Sequence, residues 1–228
     1  YNYILSIIMP VNLLFSLGMR NVIAADQNFT VDVKSFFYYR ISSMIFALLL
    51  IIFFFLVTNQ FSILMIALVL QKYFDNLFDY YYGVYQREKK MSLIAQSQVV
   101  RSLFSLLPMV LMGLFYKNIN TVFIVIAIVS FGLNIWEQRK LKLNLLDFKA
   151  FGASLKNVFK WVIKYMPLGI VSFIDSLSLN VPKYFLKASS WQNGVAIFSS
   201  LIILIYIVGF VVSALGNTLL PSFAASYL

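Results

Sequence analysis

Residues 61–90 read FSILMIALVLQKYFDNLFDYYYGVYQREKK. The first ten carry no charge and belong in lipid. The next twenty hold a lysine, two aspartates and a run of tyrosines before a basic end. A helix that starts in hydrocarbon and continues into charge needs shelter for its second half. That requirement fixes the class of fold: several spanning helices packed around a polar interior.

The rest of the chain agrees. It has 228 residues, of which 61% are hydrophobic and 11% charged. A soluble domain carries about 25% charged residues. Mean hydropathy is +0.87. There are no histidines and no cysteines, which excludes the usual zinc, haem, thiol and disulfide chemistry. No metal site, cofactor or nucleic-acid partner is expected. The chain opens on Tyr1 inside an apolar segment, with no charged leader or cleavage site before it, so the whole protein is expected to be longer at both ends.

A helix needs about 20 mostly apolar residues to cross the hydrocarbon core. Seven spans fit: 1–18, 36–57, 61–82, 93–116, 119–136, 165–186 and 194–215. Runs such as FALLLIIFFFLV (46–57) are apolar all round, unlike the alternating strands of a barrel. The expected fold is therefore an all-α, polytopic membrane protein. Connections alternate in charge. Of the 18 Lys and Arg, all but Lys72, Arg101, Lys117, Lys183 and Lys187 fall in or beside 19–34, 86–90 and 137–164. The excess of positive charge places those connections in the cytoplasm; the first visible span then runs outside to inside, and a missing preceding helix would put the N-terminus of the full protein in the cytoplasm. Residues 148–164 place Phe148, Phe151, Leu155, Val158, Phe159 and Val162 on one helical face, with Lys149, Lys156, Lys160 and Lys164 opposite. This pattern predicts an amphipathic helix on the bilayer surface.

Three spans carry polar stripes at mid-depth. Lys72, Asp75 and Asp79 follow i, i+3, i+7 spacing, and Lys72 and Asp75 can pair. Arg101 shares a face with Ser97, Gln98 and Ser105. Asp175 sits with Ser172, Ser176 and Lys183, between Pro167 and Pro182. A lone serine or asparagine at such a place is ordinary interhelical glue, worth about 1 kcal/mol or less. Three stripes with charges cost more, and point to a hydrated cavity. Tyr80, Tyr81, Tyr82 and Tyr85 are expected in an interfacial aromatic belt.

Several stretches carry a resemblance. SLGMRNVIAADQ (16–27), YFDNLFDYYYGVYQREKKMSLIAQS (73–97), PLGIVSFIDSLSLNVPKYFL (167–186) and GVAIFSSLIILIYIVGFVVSALGN (194–217) resemble, in order and spacing, the bacterial oligosaccharide-lipid (O-antigen) flippases of the polysaccharide-biosynthesis type. These belong to the multidrug/oligosaccharidyl-lipid/polysaccharide exporter superfamily. Asn180, Pro182, Lys183 and Tyr184 match a recurrent pattern, with lysine where arginine is commoner. The resemblance implies part of a two-lobed transporter of 12–14 helices in the bacterial cytoplasmic membrane. Residues 1–147 would form a first lobe lacking its first helix, 148–164 the linker, and 165–228 the start of a second lobe. The substrate would be a polyprenyl-pyrophosphate-linked oligosaccharide, destined for O-antigen, capsule or a similar polymer and moved to the outer leaflet by alternating access. Lys72, Asp75, Asp79, Arg101, Asp175, Asn180 and Lys183 would line the cavity. Asp75, Asp79 or Asp175 would take a coupling proton or sodium ion. Polysaccharide polymerases and glycosyltransferases are candidate partners besides the lipid bilayer. The rivals are a small-molecule or multidrug cation antiporter of the same superfamily and, more remotely, a membrane polymerase. An enzyme is disfavoured, because the external connections are short and no phosphate-cradling GxxxxGK[ST] motif is present.

Overall fold

A computed structural model describes residues 2–26, 28, 32–59, 62–115, 119–141, 148–189, 191 and 193–226, with side chains left undescribed at 112, 113, 115, 119, 148–161 and 225. The described residues form helices and no strand: α1 (Asn2–Ser16), α2 (Met19–Ala25), α3 (Val33–Val57), α4 (Ile63–Arg87), α5 (Met91–Phe115), α6 (Ile119–Lys140), α7 (Phe148–Ala188) and α8 (Gly194–Ser226).

Local chemistry sets the boundaries. Asp32 caps α3 by accepting from the Lys34 amide, and Ser62 caps α4 by accepting from the Met65 amide. Each satisfies an amide that the helix start leaves free. Leu17 and Gly18 take left-handed φ of 50° and 59°, which turns the chain between α1 and α2. Glycine bears that conformation without strain. Residues 19–25, expected in a loop, instead form α2 against α4. Gly83 permits the approach: a Cβ there would lie 3.1 Å from the Arg20 carbonyl oxygen.

Among the described residues, six helical spans are long and apolar enough to cross a membrane: 2–25 (α1 with α2), α3, and parts of α5, α6, α7 and α8. The seventh expected span, α4, is 25 residues long, but Lys72, Asp75, Asp79 and Arg87 make its second half too polar for that group. It compensates by position. α4 contacts α1, α2, α3, α5, α6 and α8, so its charges meet protein. Outward-facing residues elsewhere are apolar, including Phe46, Leu49 and Phe53 on α3, Leu103 and Leu107 on α5, and Leu204 and Phe210 on α8. A polytopic, multi-pass membrane protein follows from these surfaces.

The ends of α2, α4 and α6 and the start of α3 meet on one side of the molecule. One end gathers the basic connections: Arg87 of α4 pairs with Asp26 beyond α2 (3.4 Å), the Tyr80 hydroxyl donates to the Val33 carbonyl (2.6 Å), and the Tyr85 hydroxyl donates to Glu137 of α6 (2.7 Å). Tyr80, Tyr81, Tyr82 and Tyr85 are each 3% exposed or less. This overturns the aromatic belt. Neighbours surround α4 on every side, so consecutive tyrosines all find packing, with Phe37 against Tyr80 and Tyr81. A second core at the far end packs Ile8, Ile51, Phe55, Met65, Leu68 and Phe123.

α7 runs unbroken for 41 residues, about 60 Å at 1.5 Å per residue. The expected division at residue 164 falls inside it. The side chains expected to make 148–161 amphipathic lie outside the described residues.

Prolines leave a helical carbonyl four residues earlier without its amide partner. Two such carbonyls are taken up across helices. Pro10 frees the Ser6 carbonyl of α1, which accepts from the Tyr184 hydroxyl of α7 at 2.6 Å. Pro221 frees the Asn217 carbonyl of α8, which accepts from Gln86 Nε2 of α4.

Candidate functional site

The sequence-predicted residues do not meet at one point. They separate into three groups set by which helix faces which.

The first group lies between α4 and α5. Lys72 Nζ is 3.1 Å from one Asp75 carboxylate oxygen, and Arg101 Nη2 is 3.8 Å from the other. The i, i+3 spacing on α4 brings Lys72 to Asp75, and Arg101 arrives from α5. Its guanidinium also stands 5.1 Å from the Phe78 ring centroid, a favourable place for a cation. Asp75 thus has two cationic neighbours, and the trio carries a net positive charge.

The second group contains Asp79. Its carboxylate is 3.8 Å from Arg20 of α2. Arg40 of α3 lines the same 250 Å³ cavity, together with Ser16, Asn21, Ser172 and Asn217. Arg40 is 2% exposed. Its Nη2 donates to the Asn76 carbonyl at 3.0 Å, while its Nε has no partner among the described residues. Arg20 Nε donates to Gln86 Oε1 at 2.9 Å, and its guanidinium is 5.4 Å from the Tyr82 ring centroid. Two arginines face one aspartate here.

Sequence reading missed both arginines as site residues. Arg20 falls in the connection 19–34, and Arg40 counts among the basic residues beside it. A signal was present: Asp79 and Gln86, both partners of Arg20, stand seven residues apart and share one face of α4.

The third group lines a 770 Å³ cavity between α1, α7 and α8, holding Asn2, Met9, Asp175, Asn180, Lys183 and Tyr206 among others. Asn180 Nδ2 donates to the Ser176 carbonyl (2.8 Å), and its Oδ1 accepts from Lys183 Nζ (2.8 Å). Lys183 is 8% exposed and Asn180 6%, so the amide orients a buried ammonium on the cavity wall. Asp175 is exposed to the cavity, and no described residue forms an ion pair with it. Its carboxylate therefore differs from those of Asp75 and Asp79, which have cationic neighbours. Leu13 and Ser172 line both this cavity and the smaller one. The two chambers are thus neighbours that share a wall at Leu13 and Ser172, the larger toward the far end and the smaller toward the basic end.

Among the described residues no cluster of three or more acidic side chains could hold a metal ion. The chemistry on offer is recognition: fixed cations, amides, hydroxyls and one unpaired carboxylate in a largely apolar chamber.

No protein-family model matches the chain, and no solved structure does. Among curated proteins it is similar to the capsular polysaccharide biosynthesis protein CapF of Staphylococcus aureus. The two are 26% identical over 231 residues, a match that covers 100% of this chain and 57% of that protein. The chain thus spans a little over half the length of that relative. The likeness supports a link to polysaccharide biosynthesis.

Proposed function

We propose that the protein moves polyprenyl-pyrophosphate-linked oligosaccharide repeat units from the inner to the outer leaflet by alternating access. The 770 Å³ cavity between α1, α7 and α8 carries this reading. Its volume falls within the range of about 300–1,000 Å³ typical of small-molecule sites. It offers polar groups to sugars on walls whose outer surfaces are apolar. Sugars and pyrophosphate cannot cross hydrocarbon unaided, whereas a polyprenyl tail can stay in lipid. Lys183, Arg20 and Arg40 offset the pyrophosphate charge, with the net positive Lys72–Asp75–Arg101 trio behind them. Of the three carboxylates, Asp175 is the best placed to take a coupling proton or sodium ion, since no cation occupies it. The likeness to a capsular polysaccharide biosynthesis protein supports the substrate class. The bacterial cytoplasmic membrane is the site where such lipid-linked units are made.

One observation favours a second reading. The cavity's apolar wall, with Leu5, Met9, Ile202 and Phe210 beside a free carboxylate, also suits an amphipathic organic cation. A small-molecule antiporter is the alternative on that ground.

Deleting the gene and measuring lipid-linked oligosaccharide in each leaflet tests the proposal. Complete repeat units should accumulate on the cytoplasmic leaflet, with loss of surface polymer. Normal sidedness and normal polymer would favour the antiporter. Accumulation on the outer leaflet would point to a polymerase.

A further inference from the structure

We infer that Gln86 is a latch that closes the polar passage at its basic end, with the proline-freed carbonyl of Asn217 as its catch. Gln86 is 0% exposed and stands near the C-terminal end of α4. Its amide makes two bonds in opposite directions. Oε1 accepts from Arg20 Nε of α2 at 2.9 Å, and Nε2 donates to the Asn217 carbonyl of α8. One side chain therefore ties three helices together, and links positions 131 residues apart in sequence.

The catch is built into the sequence. In an unbroken helix the Asn217 carbonyl would accept from the amide of residue 221. That residue is Pro221, which has no N–H. A carbonyl without a partner is costly inside a membrane protein, and the half-buried Asn217 carbonyl is taken up by Gln86. The bond is also reversible. When α8 moves away, water or another donor can take the carbonyl, and the helix itself is not broken further.

The position of the latch matters as much as its chemistry. The larger chamber runs from Asn2, Lys183 and Ser199 near the far end to Leu13 and Ser172. The smaller continues from Leu13 and Ser172 to Arg20 and Asn217. Arg20 and Asn217, the two partners of Gln86, line this smaller chamber, and Gln86 joins them from behind its wall. Gly83, one turn above Gln86, keeps α2 pressed on α4, so Arg20 cannot swing away without moving α2. With Gln86 bonded to both partners, α2, α4 and α8 are held together at the end nearest the basic connections. The purpose assigned to the latch rests on the transport reading. The closure itself does not, because accessibility can be read without any substrate.

The native chain has no cysteine, which makes the test direct. Ser172→Cys, at the junction of the chambers, is labelled with a membrane-impermeant maleimide in vesicles whose accessible face is the basic one. Lys89→Cys, in the exposed turn of that face, identifies those vesicles and sets the rate for open access. Ser172→Cys should react at least about tenfold more slowly than Lys89→Cys. Gln86→Glu keeps the acceptor for Arg20 but loses the donor to Asn217, and should raise the Ser172→Cys rate about tenfold. Pro221→Ala restores the helical amide that competes for the same carbonyl. It should raise the rate severalfold without harming the fold. The latch is overturned if Ser172→Cys already reacts at the Lys89→Cys rate, or if both Gln86→Glu and Pro221→Ala leave its rate within twofold. Loss of transport with unchanged labelling would leave the transport reading standing and reject the latch. Increased labelling with normal leaflet sidedness in the deletion strain would do the reverse.

Discussion

The second half of α4 and the cavity face of α7 use similar residues to opposite ends. On α4, Lys72, Asp75 and Asp79 have charged partners, and the hydroxyls of Tyr80, Tyr82 and Tyr85 bond Val33, Ser97 and Glu137. On α7, Asp175 stands free and Lys183 is held only by Asn180. The difference is one of surroundings. Six elements enclose α4, whereas α1, α7 and α8 leave a chamber between them. Polar residues in a membrane protein are structural where neighbours complete them, and available for a ligand where they do not. Substitutions at the partnered charges and tyrosines of α4 should therefore cost stability first, and those in the α7 chamber should cost function.

The largest effect is expected in the tyrosine core. Tyr81 is 1% exposed, and Tyr81→Ala should cost about 3–5 kcal/mol, the usual loss on truncating a buried aromatic. A fall in the unfolding midpoint in detergent would show it, and a belt residue would show almost none. Next comes Asp75→Asn, which leaves Lys72 and Arg101 facing each other without compensation. Breaking a fully buried pair costs about 3–5 kcal/mol; these side chains are 18–30% exposed, so about 2 kcal/mol is expected. Adding Lys72→Met should recover part of it, and a double-mutant cycle reads the difference.

A smaller loss is expected for Tyr184→Phe, which removes the donor to the Ser6 carbonyl that Pro10 has freed. About 1 kcal/mol should be lost, measurable as a shift of the same midpoint. Pro10→Ala should make Tyr184→Phe less costly, because the helix then supplies its own donor. The smallest stability effect is expected at Asp175. Asp175→Asn should change stability by no more than about 0.5 kcal/mol, yet abolish or uncouple translocation. If stability falls instead and transport persists, the contrast between α4 and α7 fails.

Much of this was legible in the sequence. The all-helical membrane class followed from apolar runs whose length matches the bilayer, and the Lys72–Asp75 pair followed from i, i+3 spacing. The polar face of α7 also emerged as read, because helical spacing fixes which residues share a side. Other features depended on long-range packing. Periodicity along α4 reveals one polar stripe but not that helices cover the remaining sides, so the tyrosines looked interfacial. The turn at Leu17 and Gly18 depends on local backbone conformation, so α2 passed for a loop and Arg20 left the site. Pro167 and Pro182 stand out in the sequence because they bracket Asp175. The carbonyls that bond across helices are those of Ser6 and Asn217, freed by Pro10 and Pro221, and their donors lie far away in sequence. The charges also divide into three groups rather than one, because Asp75 and Asp79 face different neighbouring helices.

The most direct test is the leaflet distribution of lipid-linked repeat units in cells carrying Asp175→Asn with Lys183→Gln, beside cells carrying Tyr184→Phe as a control for mild destabilisation. At matched protein levels, complete units should accumulate on the cytoplasmic leaflet in the cavity variant, while the control stays close to wild type. Normal distribution in both would contradict the assignment of the α1–α7–α8 cavity as the path of the headgroup.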